Sequence, residues 1–248
     1  MLPHSECIAL TSFHLSRESP HPPSTVQKFP LKYRNAILIV IAILIVDQVL
    51  KIYIKTHFAL GEHVDVVGDW FKLLFVENKG MAFGMKLSDS NWGKLFLTLF
   101  RLAAVVAGFF ILRHLVRQRY SRGLILCGAL ILAGAAGNLI DSIFYGMIFT
   151  ESIFSVAHFV PWGQGYAPLF HGQVVDMFYF PIVQGTWPSW LPFVGGDSFR
   201  FFEPVFNVAD ASITTGVLAL LIFQKRFVHK RLVQSPAAPG PEAAAGKP

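Results

Sequence analysis

Four long apolar stretches constrain this chain more than anything else in it: Asn35 to Thr56, Trp92 to Leu112, Gly123 to Phe144 and Asn207 to Phe223. Crossing the hydrocarbon of a bilayer as a helix takes roughly 20 mostly apolar residues. The first three stretches meet that requirement, and the shorter fourth is extended upstream by Val205 and Phe206. Composition points the same way. Hydrophobic residues make up 53% of the chain and charged residues only 15%, against about 25% charge in a soluble domain. The expected fold class is an all-α membrane protein of four transmembrane helices, with a small extracytoplasmic β-rich subdomain and a long outer loop insertion.

The net charge of +6 does not announce a nucleic-acid partner, because the cations are clustered around the spans. Lys28, Lys32 and Arg34 precede the first. Arg113, Arg117, Arg119 and Arg122 fill the link between the second and third. Lys225, Arg226, Lys230 and Arg231 follow the fourth. The two other loops carry more acid than base, and from Met147 to Glu203 the only Lys or Arg is Arg200. Positive residues stay on the cytoplasmic side, so both termini and the link between spans two and three are expected there. Both long loops then face outward.

Residues 1–34, rich in Ser, Pro and His, read as a disordered extension without a secretory signal, and 229–248 as a disordered cytoplasmic tail. A single four-helix domain occupies 35–228. The segment after span one, "HVDVVGDWFKLLFVENKGMAFGM", has the β-branched and aromatic content of a small sheet at the membrane surface. The insertion, about 146–205, is rich in aromatics, Pro and Gly. Its "FHGQVVDMFYFPIV" is strand-like, and Trp187 and Trp190 suit the outer headgroup region. Cys7 and Cys127 have no route to each other, and neither a disulfide nor a metal site is expected.

Ionisable groups inside spans are rare and mark function by default. Asp47 and Lys51 lie four residues apart on one face of span one: either a self-satisfied ion pair or, through Lys51, a group that positions lipid or substrate headgroups. Span three, "GALILAGAAGNLID", has small residues that admit a close neighbour, then Asn138 and Asp141 on one face. Asp176 has apolar neighbours on both sides. Asp210, three residues after Asn207, opens span four, where an acid also serves as a helix cap.

Topology brings Asp141, Asp176 and Asp210 to the outer side. Two of these acids in one low-dielectric site would hold a single proton between them. Such a pair suits amide hydrolysis: the ionised carboxylate takes a proton from water and the protonated one supports the developing oxyanion. The residues alone leave Asp141 and Asp176 close to tied as the partner of Asp210. No HExxH helix, serine triad order or phosphate loop is present, and His158 and His171 are poor candidates for a metal site. A small transporter using the intramembrane acids as a relay lacks the internal repeat expected of it. A non-catalytic scaffold is the other alternative.

Taken in order, "DQVLK" (Asp47–Lys51), "ENKGMAFGM" (around Asn78 and Gly80), "AGAAGNLID" (Ala133–Asp141), "VVDMF" (around Asp176) and "FNVADASI" (Phe206–Ile213) resemble the lipoprotein signal peptidases, signal peptidase II, aspartate proteases of the bacterial cytoplasmic membrane. The resemblance covers residues 35 to about 228. It implies Asp176 and Asp210 as the catalytic pair, Asp141, Asn138 and Asn207 as supporting groups, and Asn78 and Gly80 as contacts for substrate or inhibitor; Asp47 and Lys51 join those contacts from their place in span one. It implies no cofactor. The implied partners are prolipoproteins carrying a diacylglyceryl cysteine and cut just before it, membrane lipids, and inhibitors of the globomycin type. The family motif in span three usually continues with arginine, where this chain has Ser142. The insertion is read as a lid or docking face over the site.

Overall fold

A computed structural model of the chain describes residues 31–78, 91–181, 183–201 and 204–233. Gly80 and most of the expected disordered extension and tail lie outside the described residues. The chain forms helix α1 (Tyr33–His57), strands β1 (His63–Val67) and β2 (Phe71–Asn78), helices α2 (Asn91–Arg117) and α3 (Arg122–Ile140), a π-helical turn (Asp141–Tyr145) and the short α4 (Gly146–Ile148). Strands β3 (Val174–Tyr179), β4 (Val183–Thr186), β5 (Ser198–Phe201) and β6 (Val205–Phe206) follow, and helix α5 (Val208–Val233) closes the described chain. Helix α1 begins inside the expected extension and α5 runs on into the expected tail. Both outruns contain Lys or Arg, which are good helix formers.

Four helical segments are long and apolar enough to cross a membrane: Tyr33–His57, Trp92–Arg117, Arg122–Ile148 and Val208–Phe227. Their packing inverts the pattern of a soluble bundle. On α1 the enclosed residues are Ala36, Val40, Asp47, Lys51, Ile54 and Lys55, spaced as one helical stripe. Half of that stripe is charged. The opposite face presents Leu38, Ile45 and Val49, all more than half exposed. Polar groups face the bundle interior and apolar ones face outward, as lipid requires.

Helix α3 is the centre of the bundle and packs against α1, α2 and α5. Small residues make this possible. A methyl group on Gly134 would collide with the Ala209 carbonyl of α5, and one on Gly137 would press on the Asp47 carboxylate and Ala209. One apolar cluster (Ala36, Val40, Leu112, Ile125, Ala129, Leu132 and Ala133) fills the bundle near the α2–α3 link. A second (Ile54, Phe58, Phe75, Tyr145, Phe149, Val175 and Met177) joins the helix ends to the sheet. Asp47, Lys51, Asn138 and Asp141 lie between the two along the sequence of α1 and α3.

The larger sheet is antiparallel in the order β1-β2-β3-β6. It unites strands from both long loops, since β2 and β3 are far apart in sequence. Val76 pairs with Asp176, Glu77 with Val175 and Asn78 with Val174. Phe178 pairs with Phe206, and the residue after Phe206 is Asn207. The β3–β6 register therefore delivers the start of α5 to the strand that carries Asp176. Strands β4 and β5 form a separate hairpin, whose connection exposes Trp190 and Phe193. Lys55 fastens this layer to the bundle: it is ion-paired with Glu77 of β2, hydrogen-bonded to Ser152 at 2.9 Å, and lies over the rings of Phe75, Phe149 and Tyr166.

Close approach of α3 and α5 generates a prediction. Gly134→Leu places a side chain where the Ala209 backbone stands. Overpacking of this kind costs about 1–3 kcal/mol or more, so the thermal unfolding midpoint in detergent should fall. Ala135→Leu, on an adjacent position, is the comparison and should fall less.

Candidate active site

The site is built outward from Lys51. This residue is fully enclosed, and its ammonium has three hydrogen-bond partners: Asp47 Oδ2 at 2.9 Å, Asp141 Oδ2 at 2.7 Å and Asn138 Oδ1 at 2.9 Å. Three donors meet three acceptors, which is the condition for keeping a charge away from water. Gln48, the next residue along α1, donates to Asp141 Oδ1 at 2.9 Å and accepts from the Tyr145 hydroxyl at 3.1 Å. Asp47 uses its other oxygen to accept from the Ala209 backbone N–H at 2.9 Å. A carboxylate from α1 thus satisfies one of the orphan donors that open α5.

The π-helical turn follows directly. Asp141, Ser142 and Tyr145 are all buried in it, and π-turns of this kind recur at functional sites. Ser142 donates to the Asn138 carbonyl at 2.9 Å and accepts from Arg101 Nη1 of α2 at 3.2 Å. A guanidinium thus reaches this position from another helix.

Asn207 joins the two halves of the site. Its Nδ2 donates to Asp176 Oδ1 at 2.7 Å, and lies 3.1 Å from Asn138 Oδ1 and 3.2 Å from the Val175 carbonyl. Its Oδ1 accepts from the Asp210 N–H at 2.9 Å, while its own N–H donates to Asp210 Oδ2 at 3.3 Å. This reciprocal pairing across three residues is a capping box. Asp210 Oδ1 remains for Asn138 Nδ2, which donates to it at 2.7 Å. Capping and membership of the polar cluster therefore coexist in one carboxylate.

Asp176 is 3% exposed, with buried neighbours on both faces of β3. It accepts from Asn78 Nδ2 at 3.3 Å as well as from Asn207. Burial, and then the negative charge of Asp210, push its carboxyl up from 3.8 to about 7 despite those hydrogen bonds. The arrangement therefore favours the protonated form of Asp176 up to about neutral pH, beside a second carboxylate.

Asp47, Lys51, Asn78, Asn138, Asp141, Asp176, Asn207 and Asp210 all belong to this connected network. Asp141 stands apart from the other two acids of interest: its partners are Lys51, Gln48 and, at 3.4 Å, the Val175 N–H. Lys51 lies within the network, paired with both Asp47 and Asp141. Gln48, Arg101 and the Lys55–Glu77 pair were not singled out from the sequence. Gln48 stands inside the "DQVLK" motif, and Arg101 and Lys55 are intramembrane cations that the rule applied to Lys51 would have marked. His158 and His171 lie on the exposed loop, and among the described residues no three His, Cys, Asp or Glu side chains converge as metal ligands do.

Lys51→Met would leave two buried carboxylates facing each other. Breaking such a cluster costs about 3–5 kcal/mol, to be read as a lower unfolding midpoint. Adding Asp47→Asn should recover part of the loss.

Comparison with known proteins agrees with this geometry. The family described as Signal peptidase (SPase) II matches residues 39–226. A lipoprotein signal peptidase of Porphyromonas gingivalis (strain ATCC 33277) is 50% identical over 191 residues, 77% of this chain and 82% of the relative. One from Amoebophilus asiaticus is 38% identical over 195 residues, 77% of each. A solved bacterial membrane enzyme, determined by the in meso method at 2.3 Å resolution, shares the fold with a TM-score of 0.52 at 23% identity, covering 84% of this chain and 96% of its own. Four membrane-length helices, a small antiparallel sheet and this breadth of similarity lead to one conclusion: the chain belongs to the signal peptidase II family of aspartic-type membrane proteases.

Proposed function

We propose that this protein is an endopeptidase acting at the membrane interface, which removes signal peptides from prolipoproteins whose cysteine carries diacylglycerol, cutting just before that cysteine. Asp176 and Asp210 are the catalytic pair. The observation that carries this reading is the unequal environment of two carboxylates joined by one asparagine: Asp176 holds its proton up to about pH 7 because burial and the Asp210 charge favour the neutral form.

Asp210, ionised, takes a proton from a water molecule as the water oxygen attacks the scissile carbonyl. Asp176 donates its proton toward the carbonyl oxygen, giving a neutral tetrahedral diol. Asp210 then gives its proton to the departing nitrogen while Asp176 takes one from a hydroxyl of the diol, so the C–N bond breaks to acid and amine and the pair again holds one proton. Asn138 and Asn207 keep each carboxylate oriented through the 2.7 Å hydrogen bonds described above. Asp141, Asp47 and Lys51 form the support behind them, and Asn78 and Gly80 belong to the loop that meets substrate or a globomycin-type inhibitor.

The charge distribution supports cytoplasmic termini, residence in the bacterial cytoplasmic membrane and a site on the outer face. The sheet and the 146–205 insertion are then extracytoplasmic, with the insertion covering the site. The peptidase domain is 35–228.

The test uses purified protein in detergent and a synthetic lipopeptide with a diacylglyceryl cysteine. Asp176→Asn and Asp210→Asn should each lose cleavage by about 100-fold to 10,000-fold or more while keeping the wild-type unfolding transition. Full activity in either variant would exclude that residue from the pair. Turnover should also fall as pH rises through about 7, where Asp176 passes from protonated to ionised. An activity still rising at pH 9 would contradict the assignment of the proton to Asp176.

A further inference from the structure

Residues 149–170, the part of the insertion that follows α4, carry almost no charge. Between residues 142 and 175 the only Asp, Glu, Lys or Arg is Glu151. The side chains presented outward are apolar: Ile153, Phe154, Val156, Phe159 and Trp162 are all exposed. A contiguous apolar surface of this kind marks a place of contact with protein or membrane. The opposite side of the same stretch is held by the protein. Phe149, Ser152 and Ala157 are buried, and the Phe149 and Phe159 rings lie 4.5 Å apart. Ser152 Oγ accepts from Lys55 in the last turn of α1 at 2.9 Å, so this part of the loop stands level with the end of a span.

Backbone pairing fixes the depth of the rest. The third membrane-length segment runs to Ile148, and beyond it the chain turns back along its own helix end. The N–H of Val160 donates to the Ile148 carbonyl at 2.9 Å, Gly163 to Met147 at 3.1 Å, Ala167 to Gly146 at 2.9 Å and Phe170 to Ile143 at 3.2 Å. From Ile148 back to Ile143 a helix covers about 7 Å, so residues 160–170 stand beside the last turns of the span rather than above them. These bonds use carbonyls that a helix end leaves unpaired, and they satisfy donors of the loop. Irregular backbone is tolerated at membrane depth only where protein satisfies it in this way. The Trp162 ring lies 6.2 Å from that of Phe144, which is itself exposed on the span. The apolar surface of the loop is thus continuous with the exposed apolar face of the span.

We propose that residues 149–170 form a shoulder seated in the bilayer, with Ile153, Phe154, Val156, Phe159 and Trp162 against lipid at the boundary between headgroups and acyl chains. Aromatic rings favour that boundary, and formal charge, which this surface nearly lacks, does not. The occupant is lipid because the surface continues one that lipid already covers. The shoulder goes beyond the peptidase reading and holds whichever acids perform the cleavage. Through Ser152 and Lys55 it also sets the depth of α1, and through Lys55 and Glu77 that of the sheet.

The experiment places a nitroxide label on the full chain in nanodiscs of phosphatidylethanolamine and phosphatidylglycerol. Phe154→Cys, Trp162→Cys and, as the aqueous reference on the exposed strand β1, Asp65→Cys are made one at a time in a Cys7→Ser, Cys127→Ala background. Phe154 is 93% exposed, so a label there displaces no protein contact, and equal unfolding midpoints confirm that each labelled chain is folded. Collision of the label with oxygen, which concentrates in lipid, is compared with collision with nickel ethylenediaminediacetate, which stays in water. At Phe154 and Trp162 the nickel collision rate should fall several-fold below that at Asp65 while the oxygen rate rises. Nickel access at either position equal to that at Asp65 places the loop in water and overturns the proposal. Shielding from both reagents overturns it as well, because a second copy or another part of this chain then covers the surface. Lipopeptide cleavage by the same labelled chains is read separately: its loss with the lipid signature intact bears on the peptidase reading and leaves the shoulder standing.

Discussion

The ammonium of Lys51, enclosed by Asp47, Asp141 and Asn138, is the interaction on which the rest of the molecule depends. A membrane interior offers no water to a stray charge. Four charged or polar groups can be kept there only if they satisfy each other, and the geometry that satisfies them also fixes α1 against α3. Asp47 then reaches the first turn of α5, and Asn138 reaches both Asn207 and Asp210. Helix packing and arrangement of the carboxylates are consequently one problem, with the small residues of α3 setting how near its partners can come.

The outer layer solves a different problem. Strands from two distant loops form one sheet, and β3 is enclosed on both faces at Val174, Val175, Asp176 and Met177. A loop carboxylate on a free surface would stay hydrated and ordinary. Held in this strand, Asp176 loses water and faces a neighbouring negative charge, and those two effects outweigh two hydrogen bonds from asparagine. The Lys55–Glu77–Ser152 contact ties that layer to α1: Glu77 belongs to β2, which pairs with the strand carrying Asp176, and α1 in turn reaches the start of α5 through Asp47.

Much of this was legible in the sequence because hydrocarbon is a strict solvent. Apolar length and the placement of Lys and Arg identify four helices, and an acid in such a stretch stands out against its surroundings. The pairing of Asp47 with Lys51 follows from spacing alone. What spacing does not supply is register. Nothing in "VVDMF" and "FNVAD" says that Phe178 pairs with Phe206, yet that pairing carries Asn207 to Asp176. Choice between Asp141 and Asp176 was open for the same reason: both are acids among apolar residues, and only tertiary contacts reveal that Asp141 is occupied by Lys51 and Gln48. Arg101 was legible only as a lone cation in an apolar span; its partner, Ser142, comes from another span, and no local spacing joins the two.

The capping box at Asn207 has a consequence for how such an enzyme comes into being. The surroundings of Asp176 and Asp210 are assembled only when segments separated along most of the chain have met: α1 and α3 supply the polar support, β3 carries Asp176, and the opening turn of α5 carries Asp210. A nascent chain whose last helix is still frayed has neither a capped Asp210 nor a dehydrated Asp176. The polar cluster around Asp176 and Asp210 is therefore complete only when α1, α3, β3 and the first turn of α5 are in place together.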